Sequence, residues 1–305
     1  MMQGSFIDGR WITGGNEQID VVSPIDDAVV FSTPITDEHA ALAIDAARRA
    51  APAWAALTRK QRETALRRIQ REFAARQDAI AEAICREVGK PLWEARGEAK
   101  GLAARVDLTC GAIGSDVADW ALPGEIGAGR YLPLGVVAVL GPFNFPVHLA
   151  NGQILPALLL GNTVILKPSE KAAGVAALYA EAIAAADLPQ GVFNLVQGDH
   201  RAGQTLTEDP RVDGLLFTGS TRVGQMILSA THTQPHKLVS LEMGGKNASF
   251  VGEDAALENC AKELLNAAFI TCGQRCTATS LVFVHERQID HLAARLSQAL
   301  PRLPI

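Results

Sequence analysis

The chain has 305 residues, 48% of them hydrophobic and 20% charged, with a formal net charge of −5 spread along its length. That balance belongs to a globular protein with enough core for two domains of ordinary size. Without a basic block, nucleic acid and anionic membrane are excluded as partners, and apolar runs such as Ile154–Leu160, broken by Pro156, are too short to span a bilayer.

Residues 1–10 contain neither an apolar signal core nor an Arg/Ser-rich amphipathic leader. The cysteines (Cys85, Cys110, Cys260, Cys272, Cys276) form no C-x-x-C pair. A cytoplasmic protein with reduced thiols is expected, with neither a disulfide frame nor a zinc site. No repeat or low-complexity linker interrupts the chain.

Short strand-like pieces come first, at Phe6–Ile12 around Asp8-Gly9 and at Ile19–Val22. A helical block is predicted from Thr36, as N-cap, to about Gly89. Inside it Leu66, Ile69, Phe73, Ile80 and Ile84 recur at helical spacing and are read as core. A further helix is predicted from Leu92 to about Ala118. From Gly135 onward, β-branched runs (Val136–Leu140, Thr163–Leu166, Phe193–Val196, Gly214–Phe217, Leu238–Leu241) alternate with helical stretches such as Ala172–Ala186 and Thr221–Ser229. This alternation predicts an α/β fold with a doubly wound parallel sheet covered by helices on both faces. Such sheets bind ligands beyond the carboxyl ends of their strands. The residues that follow each strand therefore matter most.

After Val136–Leu140 comes Gly-Pro-Phe-Asn-Phe-Pro, residues 141–146. Two prolines hold Asn144 in a rigid turn, where a carboxamide N–H could donate to a developing oxyanion. It could equally satisfy turn backbone, and the segment alone does not decide. After Thr163–Leu166 comes Lys167-Pro168-Ser169-Glu170. An acid at Glu170 can take both ribose hydroxyls of an adenosine and repel a 2′-phosphate, which favours NAD over NADP. Taken alone this is an ordinary turn.

Gly214–Phe217 is followed by Thr218-Gly219-Ser220-Thr221-Arg222-Val223-Gly224. Small residues at a strand-to-helix turn let backbone N–H groups approach a pyrophosphate. The pattern is not G-x-G-x-x-G, and its weight comes from its position. After Leu238–Leu241, Glu242 precedes Met243-Gly244-Gly245-Lys246 and is placed to act as a base, although a single turn glutamate is more often a surface residue. A helical stretch from Ala255 then runs into Thr271-Cys272-Gly273-Gln274-Arg275-Cys276. Gly273 is expected to break the helix, placing Cys276 in a loop where Arg275 can favour thiolate, while Cys272 stays packed.

Together and in this order, Gly-Pro-Phe-Asn-Phe-Pro, Lys-Pro-Ser-Glu, Phe-Thr-Gly-Ser-Thr-x-x-Gly, Leu-Glu-Met-Gly-Gly-Lys and Gly-Gln-x-Cys-Thr resemble the aldehyde dehydrogenase superfamily. Ile7-Asp8-Gly9-Arg10-Trp11 is similar to its N-terminal strand pair, so the resemblance covers the whole chain. Asn144-Phe145-Pro146-x-His148-Leu149-x-Asn151-Gly152 and Asn194-Leu195-Val196-Gln197-Gly198 resemble the succinylglutamate-semialdehyde dehydrogenases of bacterial arginine catabolism. His148 either lines the pocket or packs as a turn histidine against a helix.

The resemblance implies an NAD-binding domain at residues 1–118 and 141–243. It also implies an oligomerisation arm at 119–140, centred on Trp120–Pro133, and the start of a second α/β catalytic domain at 244–305. It implies that Cys276 attacks the aldehyde, that Asn144 and the Cys276 N–H hold the oxyanion, and that Glu242 activates the hydrolytic water. Lys167 and Glu170 would hold the adenosine ribose, and Gly219, Ser220, Thr221, Arg222, Val223 and Gly224 would lie against the pyrophosphate of NAD. No metal is required. Relatives that pass the acyl group to coenzyme A lack the glutamate matching Glu242, so a free acid is the expected product.

The expected substrate is N-succinylglutamate 5-semialdehyde, with another semialdehyde such as succinate semialdehyde as the alternative. Members of the superfamily continue well past the position of Ile305. They add a Glu-x-Phe-Gly-Pro motif and a strand that completes the homo-oligomer of a full-length form. A truncated, inactive NAD-binding fragment is the remaining alternative.

Overall fold

Asp8 and Gly9 both take left-handed backbone, φ 52° and 76°. They turn the chain between β1 (Ser5–Ile7) and β2 (Arg10–Ile12), which pair antiparallel with Phe6 opposite Trp11. Consecutive positive-φ residues are what a tight hairpin demands, and Asp-Gly supplies them at low cost. The computed structural model describes residues 4–113 and 116–303. Residues 1–3 of the amino-terminal stretch, 114–115 of the helix expected to reach Ala118, and 304–305 lie outside the described residues.

β3 (Glu17–Val22) pairs antiparallel with β4 (Val29–Ile35), a strand the sequence reading passed over because Pro34 weakens its pattern. The helical block is three helices: α1 (Glu38–Ala56), α2 (Arg59–Ala75) and α3 (Gln77–Val88). Asp37, one residue after the expected Thr36, precedes the first helical residue; it makes no side-chain cap bond, and the Thr36 carbonyl accepts the His39 N–H at 3.4 Å. Thr58 and Gln61 form a capping box that restarts the chain as α2, and Gly89 ends α3 at φ 75°. Leu66, Ile69, Phe73, Ile80 and Ile84 are all fully buried, as their spacing predicted.

α4 (Leu92–Leu108) opens the helical stretch expected to reach about Ala118, and Asp116 is again helical. α4 widens into a single π-helical turn at Thr109–Ile113 that contains Gly111, a poor helix former. The stretch expected to serve as an arm, 119–140, holds a small hairpin, β5 (Trp120–Ala121) against β6 (Ala128–Gly129). Extending it to residue 140 was too far. Val136–Leu140 is β7, buried at all five positions in the middle of the main sheet, because five successive apolar residues fit only between two helical layers.

From β7 the chain alternates through α5 (His148–Leu159), β8 (Thr163–Lys167), α6 (Ala173–Ala185), β9 (Phe193–Leu195), α7 (His200–Glu208), β10 (Gly214–Gly219), α8 (Thr221–Thr231) and β11 (Leu238–Met243). α5 escaped the sequence reading because Gly152 and Pro156 lie inside it. The sheet order is β11-β10-β7-β8-β9-β1-β2, parallel across β10, β7, β8 and β9. Val137, Val139, Val164 and Leu166 join one buried cluster with α2, α3 and α4, while Val136, Ala138, Leu140 and Ile165 join another with α1. The sheet is therefore covered on both faces, as in other doubly wound α/β folds.

The chain divides into two compact units, Met1–Glu242 and Met243–Ile305. The second contains β12 (Asn247–Val251), α9 (Leu257–Phe269), β13 (Thr279–Val284) and α10 (Ile289–Ala299), with β12 and β13 parallel. Its core consists of Val251, Ala261, Leu264 and Leu292, while Phe250, Leu281, Val282 and Phe283 stand exposed on its strands. Among the described residues, no helix is long and apolar enough to cross a membrane.

Candidate functional site

Strand register brings three of the expected segments to one edge. Leu140 pairs with Lys167 on one side and Phe217 on the other, so β7, β8 and β10 release the chain side by side. Gly141 N–H donates to the Lys167 carbonyl at 2.9 Å, tying two of these exits together. β8 and β9 lie to one side of β7, and β10 and β11 to the other. The strand order therefore reverses at β7, and the crevice beyond β7 and β10 is where ligands bind in such sheets.

Asn144 is half-buried in its turn, flanked by the buried Pro142 and Pro146. Beneath the turn lies a pair that sequence reasoning missed. Lys90 Nζ is 2.6 Å from Glu98 Oε2, with both side chains essentially inaccessible (0% and 1%), and 3.5 Å from the centre of the Phe145 ring. Glu98 Oε1 also accepts the N–H of His148, the first residue of α5, at 3.4 Å. Burial pushes the Glu98 carboxyl pKa up, and the Lys90 charge opposes it. This ion pair holds the chain at Phe145 and at His148, immediately after Asn144. Its only trace in the sequence is Gly-Lys-Pro after α3, which reads as a helix stop. His148 belongs to a helix rather than a turn, because the chain is already helical by Asn151, whose N–H reaches the Val147 carbonyl at 2.8 Å.

Lys167 is the last residue of β8, and its Nζ lies 3.6 Å from Glu170 Oε2. The lysine side chain is 9% exposed and the glutamate 54%. Burial lowers the Lys167 pKa, and Glu170 partly restores it. Ser169 Oγ accepts the Lys171 N–H at 3.3 Å, closing the short turn that presents Glu170.

β10 continues two residues beyond the expected Phe217, to Gly219. A Cβ on Gly219 would stand 2.5 Å from the Phe217 ring, so a larger residue there would have to displace that ring. Ser220 caps α8: its Oγ accepts the Val223 N–H at 3.3 Å and its carbonyl accepts the Gly224 N–H at 3.0 Å. The N–H groups of Thr221 and Arg222 remain open at the helix start, as the geometry of a helix N-terminus dictates. Val223 and Gly224 face inward, and Arg222 is exposed. Open N–H groups at a helix start suit a diphosphate, and an exposed carboxylate beside a lysine suits ribose hydroxyls. The donor set fits a dinucleotide. Glu242, the penultimate residue of β11, is exposed.

In the second unit the helix before the thiols ends at Phe269, earlier than Gly273. Ile270 turns extended, and Thr271, Cys272 and Gly273 follow at φ 61°, 53° and 70°. A β-branched residue at positive φ is strained backbone, and Thr271 is also fully buried. This turn swings Cys272 outward, so Cys272 is exposed and not the packed thiol expected from helical continuity. Cys276 is exposed as well. Its carbonyl accepts from Asn247 Nδ2 at 2.6 Å, and the same nitrogen reaches the Ala278 carbonyl at 3.1 Å. Arg275 Nε donates to Thr271 Oγ1 at 2.9 Å, bracing the loop from its other side. Asn247, which pins the Cys276 loop to β12, carried no signal in the sequence.

Residues 11–305 match the aldehyde dehydrogenase family. N-succinylglutamate 5-semialdehyde dehydrogenase of Burkholderia cenocepacia is 40% identical over 98% of this chain and 62% of its own length. An NADP-dependent enzyme of E. coli superposes with a TM-score of 0.92 at 35% identity, covering 99% of this chain and 64% of that one. The NAD-dependent aldehyde dehydrogenase of Sinorhizobium meliloti superposes with a TM-score of 0.91 at 32% identity, covering 99% and 62%. The chain thus spans about three-fifths of the length of these relatives. With residues 11–305 matched and relatives about 40% identical over nearly all of the chain, the chain belongs to the aldehyde dehydrogenase family.

Proposed function

We propose that this chain carries the cofactor-binding part and the nucleophile of an enzyme that oxidises N-succinylglutamate 5-semialdehyde to the carboxylic acid, with NAD as oxidant. The observation that carries the reading is Cys276, an exposed thiol in a loop clamped by Asn247 and preceded by strained backbone. The Cys276 thiolate attacks the aldehyde carbon, forming a C–S bond and a tetrahedral oxyanion to which the Asn144 carboxamide and the Cys276 N–H donate. Bound NAD supplies the hydride acceptor. Loss of hydride restores the carbonyl as a thioester, and Glu242 removes a proton from the water that cleaves it, releasing acid and thiolate. Lys167 and Glu170 hold the adenosine ribose, and Gly219–Gly224 hold the diphosphate.

NAD is preferred over NADP on the strength of Glu170, whose exposed carboxylate would meet a 2′-phosphate. The relatives' name supports the substrate, and a role in arginine breakdown in the cytoplasm is proposed with it. Residues 119–135 are proposed as the arm through which a full-length form assembles as a homo-oligomer. The test is to mix the protein with NAD and N-succinylglutamate 5-semialdehyde, follow NADH, and map acyl adducts by mass spectrometry. An adduct on Cys276 is expected. NADH formation with the acyl group on Cys272 alone would overturn the assignment.

A further inference from the structure

A second group of polar side chains lies between α4 and α5, just beyond the Asn144 turn. Among the described residues four buried side-chain nitrogens or oxygens have no hydrogen-bond partner, and two of them are Arg105 Nε on α4 and His148 Nδ1 on α5. They are neighbours. Burial lowers the His148 pKa, and the adjacent charges of Arg105 and Lys90 lower it further. Two acids of α4 are engaged elsewhere: Glu98 is paired with Lys90, and Asp107 with Arg67.

Two glycines make room for the pair. Gly101 and Gly152 both lie inside helices, where glycine costs about 1 kcal/mol relative to alanine. A Cβ on Gly101 would come within 3.0 Å of the His148 ring, and one on Gly152 within 3.0 Å of the Arg105 guanidinium. Each helix thus clears the side chain that the other sends across. A guanidinium beside an imidazole, both partly withdrawn from water, is satisfied by an anion that accepts from both. Both residues remain partly exposed through other atoms, so the pair borders solvent although its two unpartnered nitrogens are buried. The His148 ring lies 6.4 Å from that of Phe145, the residue after Asn144.

We propose that Arg105 and His148 form a carboxylate-binding subsite that recognises the far end of the substrate. This rests on the aldehyde oxidation proposed above and assigns the residues that hold a distal carboxylate of its substrate.

The test titrates N-succinyl-L-glutamate, and separately its trimethyl ester, into the ¹⁵N-labelled protein and into its Arg105→Met and Arg105→Lys variants. The acid is expected to shift the His148 ring resonances and to bind Arg105→Met about tenfold more weakly. Arg105→Lys should fall between, and the ester should not bind. Calorimetric NAD binding unchanged in Arg105→Met shows that the fold survives. Equal binding of the acid to wild type and Arg105→Met, equal binding of the ester, or no binding to wild type overturns the subsite. NADH formation with a carboxylated aldehyde and with butanal is followed in parallel. If neither aldehyde is oxidised the catalytic reading fails, while the His148 resonances still report on the subsite. If both are oxidised equally and the acid causes no shift, only the subsite fails.

Discussion

Lys90 Nζ sits 3.5 Å from the centre of the Phe145 ring while bonded to Glu98 at 2.6 Å, so a buried ion pair forms the floor of the Asn144 turn. Removing one partner leaves the other charge buried and unpaired. Lys90→Met is expected to destabilise the fold by about 3–5 kcal/mol. Lys90→Met with Glu98→Gln, which removes both charges, should cost less. Urea unfolding followed by tryptophan fluorescence checks this, since Trp11, Trp54, Trp93 and Trp120 all lie before residue 243. Equal losses in the single and double variants would show that the charge pairing is not what matters.

Glu87 gives a pH signature. It is buried beside the start of α6, accepts the Val175 N–H at 3.2 Å, and burial pushes its carboxyl pKa up from 4.5 to about 7. Between those values the unfolded chain releases a proton that the folded chain keeps, so stability falls as pH rises through that window. The full difference approaches about 3 kcal/mol. Glu87→Gln should remove that slope, so its stability relative to wild type grows from pH 4.5 to pH 8 in urea titrations. A pH-independent difference would contradict the assignment.

Thiol reactivity should separate the cysteines by exposure. Cys272 and Cys276 are exposed, while Cys85, Cys110 and Cys260 are half-buried, and burial pushes the Cys110 thiol pKa up. Brief iodoacetamide treatment and peptide mapping should label Cys272 and Cys276 first. Only Cys276→Ala is expected to abolish acyl-enzyme formation, with Cys272→Ala retaining most of it.

Glu170 should set cofactor preference. Its carboxylate is exposed next to Lys167, and Glu170→Ser is expected to narrow the preference for NAD over NADP by about tenfold, measured as the ratio of dissociation constants. Equal affinity of the unmutated protein for both dinucleotides would show that Glu170 does not face the ribose.

If Glu242 serves hydrolysis, Glu242→Gln should release one equivalent of NADH rapidly and then stall as the acyl-enzyme. Intact NAD binding without that burst would move its role ahead of hydride transfer.

The sequence by itself determined most of the elements and pointed to the candidate site residues, although β4 and α5 left too weak a pattern to read. Its alternating apolar runs marked the strands β7 to β11, the helical spacing of Leu66, Ile69 and Phe73 marked a buried face, and the motif order pointed to the family. These signals are local: a strand exit, a helix start and a turn each declare themselves within a few residues. Tertiary structure decided what local signals cannot encode. Sheet register put the β7, β8 and β10 exits together. Packing buried Lys90 against Glu98 and Phe145 and set Arg105 beside Gly152, although nothing in a helical repeat distinguishes these charges from a solvated face. Strained backbone at Thr271 and Cys272 ended a helix early and exposed a thiol that helical continuity would have packed. A charge or a turn takes its meaning from neighbours distant in the chain, and only the folded packing supplies those neighbours.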